Sequence, residues 1–109
     1  MELAMKLVII ESPYSGNVER NEEYARKCVR HSLLLGEAPI ASHLLYTQEG
    51  ILRDDVPEER AKGIAAGLAW LKVASLSAVY TDYGVSDGMR MGIEAAKDAG
   101  VPVVYRQIL

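Results

Sequence analysis

The sequence holds a single cysteine, Cys28, so no disulfide can form within the chain. His and Cys residues do not gather at metal-ligand spacing either, and no metal is expected. Positive charge is equally sparse. Twelve Lys and Arg stand against fifteen Asp and Glu, scattered over 109 residues for a net charge of −3, which excludes the basic stripe of a duplex-binding surface. Long apolar runs are missing too. Leu7–Ile10 is far too short to span a bilayer, and the Ser12-Pro13-Tyr14-Ser15-Gly16 that follows is not a signal-cleavage site. These absences predict a cytoplasmic protein with no nucleic-acid or membrane partner and no cofactor.

What the sequence does contain is apolar substance: half its residues are hydrophobic, enough for one core and too little for two. Residues 1–109 therefore read as one domain. Met5–Glu11, rich in Val and Ile without alternation, has the pattern of a strand covered on both faces. A turn-rich loop, Ser12–Asn17, precedes a helix predicted over Val18–Leu35 and ended by Gly36. On that helix Tyr24, Ala25, Cys28, Val29 and Ser32 share one face, which assigns Cys28 to the core; no role is expected for His31. Ala38–Ala41 reads as a second strand, kept to a sheet edge by Pro39, which has no N–H to donate.

Ser42–Asp55 is longer than a compact domain ordinarily allows for a plain connection, and it reads as a lid. A second helix is expected from the Asp55–Pro57 region to about Val73. Ile64, Ala65, Leu68 and Lys72 form a stripe toward the sheet, while Gly63, Ala66, Gly67 and Trp70 form a second stripe suited to another subunit. A homo-oligomer built through Gly63–Trp70 follows from that pattern, with coverage by the chain's own loop as the competing explanation. Leu76–Thr81 is the third strand, Asp87–Ala99 the third helix, ended by Gly100, and Val101–Arg106 the last strand.

The β-α-β-α-β-α-β order predicts a three-layer α/β/α fold of flavodoxin or Rossmann type: a parallel sheet of about four strands, order 2-1-3-4, with both proline-bearing strands at the edges. Ligands bind such sheets beyond the carboxyl ends of the strands where the order reverses, here between strands one and three. Two loops meet there. Ser12–Asn17 follows strand one, and Asp82–Gly88 follows strand three and opens a helix at Ser86-Asp87-Gly88, where unpaired N–H groups favour an anion. His43 and Tyr46, three residues apart on the long connection, share a face if that segment is helical and then meet a base or ribose.

These residues carry a resemblance. Ile9-Ile10-Glu11-Ser12-Pro13-Tyr14-Ser15-Gly16 resembles the first strand and loop of nucleoside 2-deoxyribosyltransferase-like proteins, and Ile64–Ser75 with Ala78–Gly92 is similar to their second half. Within that superfamily, Gly67-Leu68-Ala69-Trp70-Leu71 and Val85-Ser86-Asp87-Gly88 resemble the helix and phosphate loop of nucleotide N-hydrolases. The resemblance implies a sugar and phosphate at the helix N-terminus, with Ser86 and Gly88 in phosphate-binding positions. It also implies a catalytic glutamate, a helper aspartate and a strand-one tyrosine. At those positions stand Arg90, Gly67 and Ile9. An Arg cannot act as a glycosidic carboxylate, but it pairs well with phosphate.

The expected function is therefore binding of a nucleotide or ribosylated phosphate without turnover, through Ser12, Tyr14, Ser15, Gly16, His43, Tyr46, Asp82, Ser86, Asp87, Gly88 and Arg90. Similar small proteins are common in phage genomes, which implies one use for such a binder: holding a nucleotide-derived immune signal, such as an ADP-ribose relative, in the host cytoplasm. The alternative is a deoxynucleotide N-glycosidase or nucleoside deoxyribosyltransferase. Its carboxylates would then come from Asp82, Asp87 and Glu94, with Glu11 near the same strand ends.

Overall fold

The computed structural model describes residues 5–109. Its elements are β1 (Leu7–Glu11), α1 (Val18–Leu34), β2 (Ala38–Ile40), α2 (Ser42–Leu45), α3 (Pro57–Ala69) with a 3-10 turn at Trp70–Lys72, β3 (Leu76–Tyr80), α4 (Asp87–Asp98) and β4 (Val103–Arg106). All strand pairs are parallel and the order is β2-β1-β3-β4, as the sequence predicts. Central β1 is the Val- and Ile-rich run and central β3 is buried along its whole length, while the strand holding Pro39 lies at an edge, where a missing N–H leaves no inner ladder broken. The last strand starts at Val103, after Pro102 rather than before it.

Side chains alternate across the sheet and divide the core. Val8, Ile10, Leu76, Ala78 and Tyr80 pack with Tyr24 and Cys28 of α1. On the other face Val79 packs with Met89 and Ile93 of α4. Asn17 caps α1 by accepting from the Arg20 N–H at 3.1 Å, and Gly36, at φ +82°, turns the chain out of the helix. At the far end of the sheet, Arg106 of β4 forms a double hydrogen bond with Glu37, 2.9 and 2.7 Å, and donates to the Tyr80 hydroxyl at 3.0 Å. That hydroxyl also bonds His31 Nδ1 at 2.9 Å, so His31 does have a structural role.

α3 departs from expectation. None of its residues is buried. Gly63, Ile64, Gly67 and Leu68 line a cavity instead of packing on the sheet. The small residues receive the chain's own connection: a Cβ at Gly67 would lie 2.6 Å from the Ser42 hydroxyl, and one at Gly63 would touch Leu52. The stripe expected to meet a second subunit thus holds α3 against α2 and the segment after it. Trp70, 41% exposed, donates its indole N–H to the Tyr46 hydroxyl at 2.9 Å. Val56 rather than Asp55 precedes the first turn of α3, and Asp55 pairs with Arg53.

Candidate active site

A cavity of about 500 Å³ lies at the carboxyl ends of β1 and β3, bounded by the loop after β1, by α2, by α3 and by the start of α4. The strand-order reversal between β1 and β3 opens this space, because the connections from the two strands leave in opposite directions. Asn21 fixes the loop. Buried on the first turns of α1, it donates to the carbonyls of Tyr14 at 2.9 Å and Ser15 at 3.1 Å, so the loop backbone is held by a side chain seven residues away.

Of the residues expected to bind a ligand, Ser12, Tyr14, Ser15, His43, Tyr46, Ser86, Asp87 and Gly88 all line the cavity. Ser42–Leu45 does form a helical turn, which brings His43 and Tyr46 to the same side. Ser12 Oγ and His43 Nε2 share a 2.6 Å hydrogen bond. Burial pushes His43 down to about 4, so its ring is neutral at pH 7 and brings no positive charge. Ser86 caps α4 by accepting from the Met89 N–H at 3.2 Å, and the first N–H groups after it have no acceptor within the helix.

Four expected residues lie elsewhere. Gly16, at φ +95°, shapes the turn after the loop and does not line the cavity. Asp82 is engaged at the other side of the strand end: its carboxylate accepts from the Tyr24 hydroxyl at 2.5 Å and from the backbone N–H groups of Ile108 and Leu109. Burial raises its pKa, but these donors outweigh that and hold the carboxyl below the usual aspartate value. Arg90 and Glu94 are both exposed. α4 turns Met89, Gly92, Ile93 and Ala96 inward, which carries residues 90 and 94 to the solvent side. The Arg90 guanidinium bonds the Asp87 carboxylate at 2.9 Å instead of reaching the cavity.

Glu11, which the sequence places only near the same strand ends as the other carboxylates, is, among the described residues, the one that enters the cavity without a partner. Strand alternation puts its side chain opposite Ile10, into the cavity, and among the described residues no side chain or backbone group hydrogen-bonds to it. Burial pushes its carboxyl up to about 8. Its carboxyl fills the space where a side chain at position 92 would stand: a Cβ on Gly92 would lie 2.6 Å from Glu11 Cδ. A side chain at 92 would displace the Glu11 carboxyl from that space. Among the described residues no three His, Cys, Asp or Glu side chains are arranged to hold a metal ion.

The chain is similar to solved structures of two enzymes. One is a 2-deoxyribosyltransferase from Bacillus psychrosaccharolyticus, with a TM-score of 0.63 and 18% identity over 93% of this chain and 72% of that one. The other is the CMP N-glycosidase BcmB from Clostridium botulinum, with a TM-score of 0.54 and 14% identity over 94% of this chain and 69% of that one. At such identities the likeness shows the fold alone, and the fold is the nucleoside 2-deoxyribosyltransferase-like one that the sequence resembles. No curated protein matches the sequence. A family model described as a domain of unknown function, DUF7768, matches residues 6–106.

Proposed function

The chain belongs to the DUF7768 family, whose description assigns no activity, and from its cavity we propose that it binds a nucleotide or another ribosylated phosphate. One observation carries the reading: a single cavity is lined by the open first turn of α4, by Tyr14 and Tyr46, and by a carboxyl group that is neutral near pH 7. N–H groups at a helix start suit a phosphate, tyrosine rings suit a base, and an uncharged carboxyl suits the hydroxyls of a sugar. The cavity's carboxylates Asp54, Glu59 and Asp87 are each engaged by an Arg or a backbone N–H, which supports retention without turnover, and in a phage setting the ligand would be a nucleotide-derived signal kept from its receptor. Glu11 favours a second reading, cleavage or transfer at the N-glycosidic bond, because a carboxyl kept protonated by burial is a proton donor.

Titration calorimetry with the common ribo- and deoxyribonucleoside 5′-monophosphates, ADP-ribose and the matching nucleosides tests the binding. Saturable heat with at least one phosphorylated ligand supports it, and no binding across the set refutes it. Mass spectrometry after denaturation then separates the two readings, since unchanged ligand marks retention and free base marks cleavage.

A further inference from the structure

We propose that Glu11 is the catalytic residue of this cavity, donating its proton to the leaving base as the N-glycosidic bond of a bound nucleoside or nucleotide breaks. The inference rests on the second reading above and names the residue that performs it. Three features of the structure converge on Glu11.

The first is the seat. Gly92 is buried on α4, directly against β1, and the Glu11 carboxyl occupies the volume a side chain would take there. A carboxyl fitted into a notch of a neighbouring helix has a defined position, which proton transfer requires.

The second is its lack of partners. Every other charged group lining the cavity is engaged: Arg60 lies 3.8 Å from Asp54, the Arg53 guanidinium pairs with Asp55 at 2.9 Å, Glu59 accepts from the Arg53 backbone N–H at 3.1 Å, and Asp87 pairs with Arg90. His43 is bonded to Ser12. None of these groups, from α2, α3, α4 or the loop before α3, forms a hydrogen bond or ion pair with Glu11.

The third is the medium. Ile9, Ile64 and Leu68 line the cavity among its polar groups, and burial of the carboxyl is the cause of its raised proton affinity. At pH 7 the proton is present to be given. As the C1′–N bond breaks, its electron pair stays on the base and the Glu11 proton passes to that base. Water then adds to C1′ and its released proton restores Glu11, so the net reaction consumes one water and needs no other reactant.

The test combines binding with base release. Wild type should bind a nucleotide and release free base at a rate that falls as pH rises through about 8, the point where Glu11 loses its proton. Glu11→Gln keeps size and neutrality but has no proton to give, and it should lose base release by at least about a hundredfold at pH 7 under saturating nucleotide. Gly92→Ala keeps the carboxyl but removes its seat, and should lower release by at least about tenfold. Release by Glu11→Gln at the wild-type rate, a wild-type rate that climbs through pH 8, or binding with no base released at any pH would each overturn the proposal and leave the binding reading standing. No binding by wild type would overturn both.

Discussion

Replacing Glu11 by Gln should make the protein more stable, by an amount that grows with pH. In the folded chain the carboxyl titrates near 8, against an ordinary value of 4.5. Between those values the folded chain keeps a proton that the unfolded chain has released, so unfolding becomes easier as pH rises: the stability present below about pH 4.5 is lost progressively and is gone above about 8. Each pH unit inside that window is worth about 1.4 kcal/mol, or roughly 5 kcal/mol across all of it. Contact between the carboxyl and cavity solvent reduces that to about 2–4 kcal/mol. Gln carries no proton to lose. Glu11→Gln should therefore exceed wild type by about 1–3 kcal/mol at pH 7 and by about 2–4 kcal/mol at pH 8.5. Urea denaturation followed by far-ultraviolet circular dichroism at pH 6.5, 7.5 and 8.5 measures it. His43 contributes equally to wild type and variant, so its own titration cancels in the difference between them. A difference that is flat with pH, or a variant less stable than wild type at pH 8.5, would show that the carboxyl is solvated and would remove the proton donor with it.

Arg106→Ala should cost about 2–4 kcal/mol in the same assay near pH 7, because it strands Glu37, only 12% exposed, without its cation. Arg106 holds the Glu37 carboxyl below its usual value, so the cost should shrink toward pH 4 as Glu37 takes up a proton in the variant. Arg90→Ala should leave nucleotide affinity within about twofold by calorimetry, since its side chain faces solvent; a loss of about 1.5 kcal/mol or more would mean that the helix start turns it inward on binding. Cys28, fully buried and with its thiol pushed up to about 12, should resist an aromatic disulfide reagent in the native state and react at once in denaturant, and fast native labelling would contradict its place in the core.

The fold was legible because its signals are local. A continuous Val and Ile run marks β1, Pro39 marks an edge, and Gly36 and Ser86 mark a helix end and a helix start. The site followed from topology: once the order is 2-1-3-4, the loops after β1 and β3 have to converge. What escaped is what depends on contacts distant in sequence. Glu37 and Arg106 are 69 residues apart, and nothing near either one predicts the pair. Period-two alternation does place Glu11 opposite Ile10, but whether that face is packed or hollow depends on how far α3 stands from the sheet. The family resemblance places Arg90 in the site, and the loop after the third strand places Asp82 there. Arg90 missed the cavity by one step of helix rotation, and Asp82 was already engaged by Tyr24 and the backbone beyond β4.

The position of α3 has a consequence for cooperativity. A helix with no buried residue, held by α2 and a 3-10 turn rather than by the sheet, should open at a free energy well below that of global unfolding, as a separate foldon. Amide hydrogens of α3 would then exchange early while those of β1 and β3 wait for the whole molecule to unfold. A ligand that bridges α3 and α4 would close that gap, and its affinity would include the work of ordering α3.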